Sequence, residues 1–112
     1  MLILRVGYLP VWKWTLDDFV RCFYSERAEK QRLALKLLLQ LLHDKGEFWP
    51  REFFRLCDSY NLNTKIYVKV LKDCKASGVI SRPKIGYPYT KSGTFLVYLG
   101  SICDFYKKYL KI

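Results

Sequence analysis

Histidine and closely spaced cysteines are almost missing from this chain. His43 is the only histidine, and Cys22, Cys57, Cys74 and Cys103 stand 35, 17 and 29 positions apart, so no C-x-x-C pair exists. A zinc site draws its ligands from tighter Cys and His pairs, and no metal is expected here. No glycine-rich phosphate loop occurs either, and one histidine among scattered acids provides no set of acid, base and nucleophile. The chain therefore does not read as an enzyme, and neither a cofactor nor a small-molecule ligand is expected. Long apolar runs are also lacking: residues 33–42 are interrupted by Lys36 and Gln40 and fall short of the roughly 20 residues that span a bilayer. The opening MLILRVGYLPVWKW has no basic stretch ahead of its apolar residues and no small-residue cleavage site, so it does not resemble an export signal. A cytoplasmic protein without a membrane partner is the expectation.

Acidic residues are the next shortage. Twenty Lys and Arg face ten Asp and Glu, a formal charge of +10 on 112 residues. An imbalance of that sign favours nucleic acid or an anionic surface. It is also localised: residues 63–93 hold seven basic side chains (Lys65, Lys69, Lys72, Lys75, Arg82, Lys84 and Lys91) against the single acid Asp73. A surface charged only for solubility intersperses its signs. With 51% hydrophobic residues and no low-complexity tract, the chain has the material for one compact domain.

The pattern along the chain predicts mostly helices. Residues 1–9 suit a short strand or extended arm ahead of Pro10. Thr15 and Asp18 form a capping-box pattern that opens a helix through Tyr24. Ser25, with Glu26 and Glu29 in the first turn, suits the cap of a core helix running to about Lys45 and stopped by Gly46. His43 in its last turn is placed where a helix favours a protonated imidazole. Residues 47–49 form a short extended link, and Pro50 fits the first turn of a helix over residues 50–59. Asn61 can take a left-handed turn, and Asn63 or Thr64 can cap the next helix. That helix carries Lys65, Lys69 and Lys72 at i, i+4 and i+7 on one face, with Tyr67, Leu71 and Cys74 at the same spacing on another. Gly78 ends it. Residues 79–82 are then expected to form a strand paired with residues 94–99 across a turn at Lys91, Ser92 and Gly93. Ser101 and Asp104 repeat the capping-box pattern before a last helix striped by Ile102, Phe105, Tyr106, Tyr109 and Leu110.

Helix, short strand, helix, turn, helix and hairpin is the order of the winged-helix domain, and residues 47–99 resemble that family. The positions that carry the resemblance are Tyr67, Leu71 and Cys74 on the third helix, then Gly78, Val79 and Ile80, with Cys57 as the small residue where the second helix crosses the third. The implied fold is α+β: a winged helix with extra N-terminal (1–24) and C-terminal (100–112) helices around a 25–99 core. In composition the chain is similar to small transcription regulators of archaea and of viruses of hyperthermophilic archaea. The resemblance implies sequence-specific binding of double-stranded DNA, with the third helix in the major groove. Asn63, Thr64 and Lys65 would then lie nearest the bases, with Ile66 or Val68 against a thymine methyl. Lys69, Lys72 and Lys75 would meet phosphates, and the wing residues Arg82, Lys84 and Lys91 the backbone or a minor groove. Tyr87 and Tyr89 either stack on sugar or base or pack the hairpin.

Two alternatives follow from the residues themselves. Ile66, Val68 and Val70 leave the lysine helix apolar almost all round, which suits a module that docks on a protein, and RNA binding by the same surface is the third possibility. Regulators of this kind often dimerise through added helices, so a homodimer is expected, with the helix of residues 15–24 or that of residues 101–110 as the contact. The cysteines read first as small buried hydrophobes. A disulfide is the alternative, with three pairings possible: Cys22 with Cys103 would staple the two flanking helices, and Cys57 with Cys74 would link the two helices of the helix-turn-helix.

Overall fold

The computed structural model describes residues 13–25 and 27–112, so the expected arm over residues 1–9 and the first-turn acid Glu26 lie outside the described residues. The protein is α+β. Five helices are described: α1 (Leu16–Val20), α2 (Glu29–Lys45), α3 (Pro50–Ser59), α4 (Thr64–Ala76) and α5 (Thr94–Leu110). With them come three short strands: β1 (Glu47–Phe48), β2 (Ile80–Ser81) and β3 (Tyr89–Lys91). The strands form one antiparallel sheet in the order β1-β3-β2, in which Phe48 lies opposite Tyr89 and Ile80 opposite Lys91.

Local chemistry explains most boundaries. Thr15 caps α1 through its hydroxyl while the Asp18 carboxylate accepts the Thr15 N–H at 2.8 Å, the capping box its spacing predicts. The helix is shorter than expected, ending at Val20; residues 21–23 continue as turns held by carbonyls of Phe19 and Val20. Ser25 does not cap α2. Its carbonyl accepts the Ala28 N–H and the Arg32 guanidinium, which makes a turn first, and α2 begins at Glu29. Gly46 closes α2 in the left-handed conformation at φ 76, and Pro50 opens α3.

One expectation is overturned. Residues 94–99 are helical and not a wing strand, so the partner of β2 is β3 and the hairpin is short, with its tip at residues 82–88. Thr94, Phe95, Val97 and Tyr98 have strand-like side chains, which suggested the strand. The helical period nevertheless runs unbroken from Phe95 through Leu99, Ile102 and Tyr106 to Tyr109, and the longer pattern wins. The Ser92 hydroxyl accepts the Thr94 N–H at 3.2 Å and starts this helix. Ser101 consequently sits mid-helix, donating to the Val97 carbonyl at 3.0 Å, and its pattern with Asp104 is not a cap.

The core lies between α2 and the sheet. Leu35, Leu38, Phe48, Phe53, Cys57, Val70, Ile80 and Tyr89 are fully enclosed there, joined by Val20 and Phe23 from the α1 segment. Phe48 links its layers, with its ring centroid 5.9 Å from Phe53 and 5.7 Å from Tyr89. Burying a side chain of that size contributes about 2 to 3 kcal/mol, so β1, though two residues long, is a real anchor. Within the described residues, no helix is long and apolar enough to cross a membrane.

Candidate nucleic-acid interface

The α3-turn-α4 unit is fixed residue by residue. Asn61 takes the left-handed conformation at φ 59, a cost that asparagine tolerates better than most residues. Its N–H donates to the Asp58 carbonyl at 3.0 Å, and the next residue, Leu62, drops into the core while donating to the Cys57 carbonyl at 3.1 Å. Asn63 then caps α4, its Oδ1 accepting the Lys65 N–H at 2.8 Å. Thr64 is exposed at the first turn, its hydroxyl 3.3 Å from that of Tyr67.

Beyond this cap, α4 divides cleanly. Tyr67, Val70, Leu71 and Cys74 are buried against α2 and α3, while Lys65, Lys69, Lys72 and Lys75 are exposed. At 100° per residue, Lys65, Lys69 and Lys72 fall within an arc of about 60° directly opposite Cys74. Val68 is half-buried beside that arc, packed against the core. Val70 is fully enclosed, and Ile66 is half-buried on the same cluster. The apolar flank suggested by Ile66, Val68 and Val70 thus packs toward the core.

The β2–β3 hairpin joins this surface through one ring. Tyr89 is buried, with the Arg82 guanidinium 4.3 Å from its centroid and the Lys75 ammonium at 5.8 Å. Cation–π attraction therefore brings the last turn of α4 and the base of the hairpin to a shared point. Tyr89 packs the hairpin and is not available for stacking, whereas Tyr87 is exposed at the tip with the Lys84 ammonium 5.7 Å from its ring. Lys91 is exposed on β3. The sequence-predicted set is therefore drawn together in two groups, one along α4 and one along the hairpin, meeting at Tyr89.

No family model, curated protein or solved structure matches the chain.

Ion pairing distinguishes the lysines from one another. Lys69 reaches back to Asp73 at 3.4 Å, and the same carboxylate oxygen accepts the Tyr24 hydroxyl at 2.6 Å. Burial pushes the Tyr24 phenol well above its ordinary range, and the hydrogen bond to Asp73 reinforces that direction. Among the described residues, Lys65, Lys72, Lys75, Arg82, Lys84 and Lys91 form no ion pair, so their charge is uncompensated by a neighbouring carboxylate.

Two basic residues escaped the sequence reading. Arg51 and Arg55 are exposed on α3, on the side away from buried Phe53 and Cys57. Their i, i+4 spacing was the available signal. The four cysteines are free thiols: Cys57 and Cys74 buried, Cys22 half-buried and Cys103 exposed on α5. Burial pushes the Cys57 and Cys74 thiols up to about 12. Among the described residues, no group of three His, Cys, Asp or Glu side chains could hold a metal ion.

Proposed function

We propose that the protein binds double-stranded DNA as a winged-helix transcription regulator, with α4 as the recognition helix and the β2–β3 hairpin as the wing. One observation carries this: a helix held rigidly by a cap at Asn63 and a buried apolar face presents exposed lysines that lack acidic partners, and a basic hairpin continues that surface. The element order α2, β1, α3, α4, β2, β3, with β1 and β2 flanking β3, supports the winged-helix resemblance. Thr64 and Lys65 at the α4 N-terminus would face base edges. Lys72, Lys75, Arg82, Lys84 and Lys91 would neutralise phosphates, where a flexible point charge is sufficient. Ile66, Val68 and Val70 pack on the core, which weighs against a protein partner docking on that flank of α4.

Duplex binding measured across a salt series tests this. Log affinity should fall with log salt at a slope of about 0.9 per phosphate contacted. Lys72→Ala should reduce that slope by about one contact, and Lys69→Ala by less, because Asp73 already holds part of the Lys69 charge. Thr64→Ala should relax sequence preference in a selection from random duplexes. Binding that ignores salt, or that prefers single-stranded RNA over every duplex, would refute the proposal.

A further inference from the structure

α5 is anchored to the body at its first turn. The Phe95 N–H donates to the Gly78 carbonyl at 3.1 Å, and the Phe95 ring lies 5.6 Å from that of Phe23. From there the helix carries no buried residue at all. Its outward stripe is nevertheless strongly apolar: Tyr98, Ile102, Phe105, Tyr106, Tyr109 and Leu110 are between 37% and 73% exposed. These positions recur at intervals of three and four on one side, while Ser101, Asp104, Lys107, Lys108 and Lys111 occupy the other, joined in the first turn by the exposed Val97. Such a division is made by residues that expect cover. The α1 segment, the other expected contact, does not share this property: Val20 and Phe23 are buried in the core, with Leu16 and Phe19 packed on it.

We propose that α5 pairs with the α5 of a second copy of this chain, antiparallel, to form a two-fold dimer. Area identifies the occupant. Taking about 200 Å² for a whole aromatic side chain, the exposed parts of the six stripe residues amount to roughly 700 Å², above the few hundred Å² of a typical monomer's largest patch and close to the ~800 Å² each partner contributes to a standard interface. A two-fold contact uses the same patch twice and needs no other surface. Charge sets the direction. Lys107, Lys108 and Lys111 crowd the C-terminal end, and the first ten residues of α5 are uncharged. A parallel pair would bring six ammonium groups together. An antiparallel pair centred on the stripe separates the two clusters by about 14 Å along the axis, which exceeds the ~8 Å screening length at physiological salt.

Light scattering on the full chain without DNA tests the pairing independently of the DNA-binding proposal. The chain should have the mass of two copies at micromolar concentration. Ile102→Glu with Phe105→Glu should give the mass of one copy with a cooperative unfolding transition retained, since neither residue contributes to the buried core. A one-copy mass for the unaltered chain at high micromolar concentration would overturn the proposal, as would an unchanged two-copy mass in the double variant. A monomer whose α5 amides resist exchange would also overturn it, assigning the stripe to another segment of the same chain. For direction, Leu110→Cys in a Cys103→Ser background should crosslink on oxidation to a chain carrying Tyr98→Cys and not to itself. Self-crosslinking would refute the antiparallel arrangement.

Discussion

Two glycines in this fold have almost the same backbone angle and different surroundings, which allows one strain to be separated from another. Gly46 has φ 76 and Gly78 has φ 77. A Cβ added at Gly46 would meet nothing within 4 Å, whereas at Gly78 it would lie 2.9 Å from Thr94 Cβ and Cγ2 and 3.0 Å from the Phe95 nitrogen. Gly46→Ala should therefore cost only the left-handed conformation, about 1 kcal/mol. Gly78→Ala adds a clash with the first turn of α5, worth about 1 to 3 kcal/mol if packing yields as it does in other overfilled cores. The sum is about 2 to 4 kcal/mol. For a domain of this size each kcal/mol lowers the melting temperature by about 4 °C, so the expected losses are about 4 °C at Gly46 and 8 to 16 °C at Gly78. Urea denaturation of both variants measures the difference directly. Equal costs at the two sites would refute the claim that α5 presses against the end of α4.

Other perturbations have outcomes of known direction. Asn63→Ala removes the cap of α4 and should cost about 1 kcal/mol in urea denaturation, with DNA affinity falling along with the order of the first turn. Tyr24→Phe removes the 2.6 Å hydrogen bond to Asp73 and should cost about 1 to 2 kcal/mol at neutral pH. Because the Tyr24 phenol is raised above its ordinary 10.0, its stabilising contribution is complete below that pH and is lost as pH rises beyond it. Stability profiles of the unaltered chain should fall in alkali more steeply than those of Tyr24→Phe. Cys57 and Cys74, buried and held up to about 12, should resist alkylation at pH 8 until the chain unfolds, as mass spectrometry of digests would show.

Much of the fold was legible because it depends on local chemistry. The capping box at Thr15, the stop at Gly46, the start at Pro50, the left-handed Asn61 and the cap at Asn63 are decided within a few residues, and each is where the sequence places it. The failures share a cause as well. Residues 94–99 satisfy two periods, and only their continuation to Tyr109 selects the helix. Ser25 has the right side chain for a cap, but its carbonyl is engaged in a turn that depends on Arg32, seven positions away. On the candidate interface, the lysine stripe follows from spacing alone. The pairing of Lys69 with Asp73 is also within reach of i, i+4 spacing, but the Tyr24 hydroxyl on the same carboxylate is not, because it comes from 49 positions away in sequence.

That long-range link bears on how α4 is set. The four buried side chains of α4 set its roll by close packing, and Asp73 adds a directional contact. Its carboxylate is tied to a phenol held in the core, as a key seats in its slot, and so reinforces the angular setting of α4 about its own axis. The direction in which Lys65 and Lys72 point is thus set in part from a tyrosine just after α1, which serves as an alignment pin for the exposed face of α4.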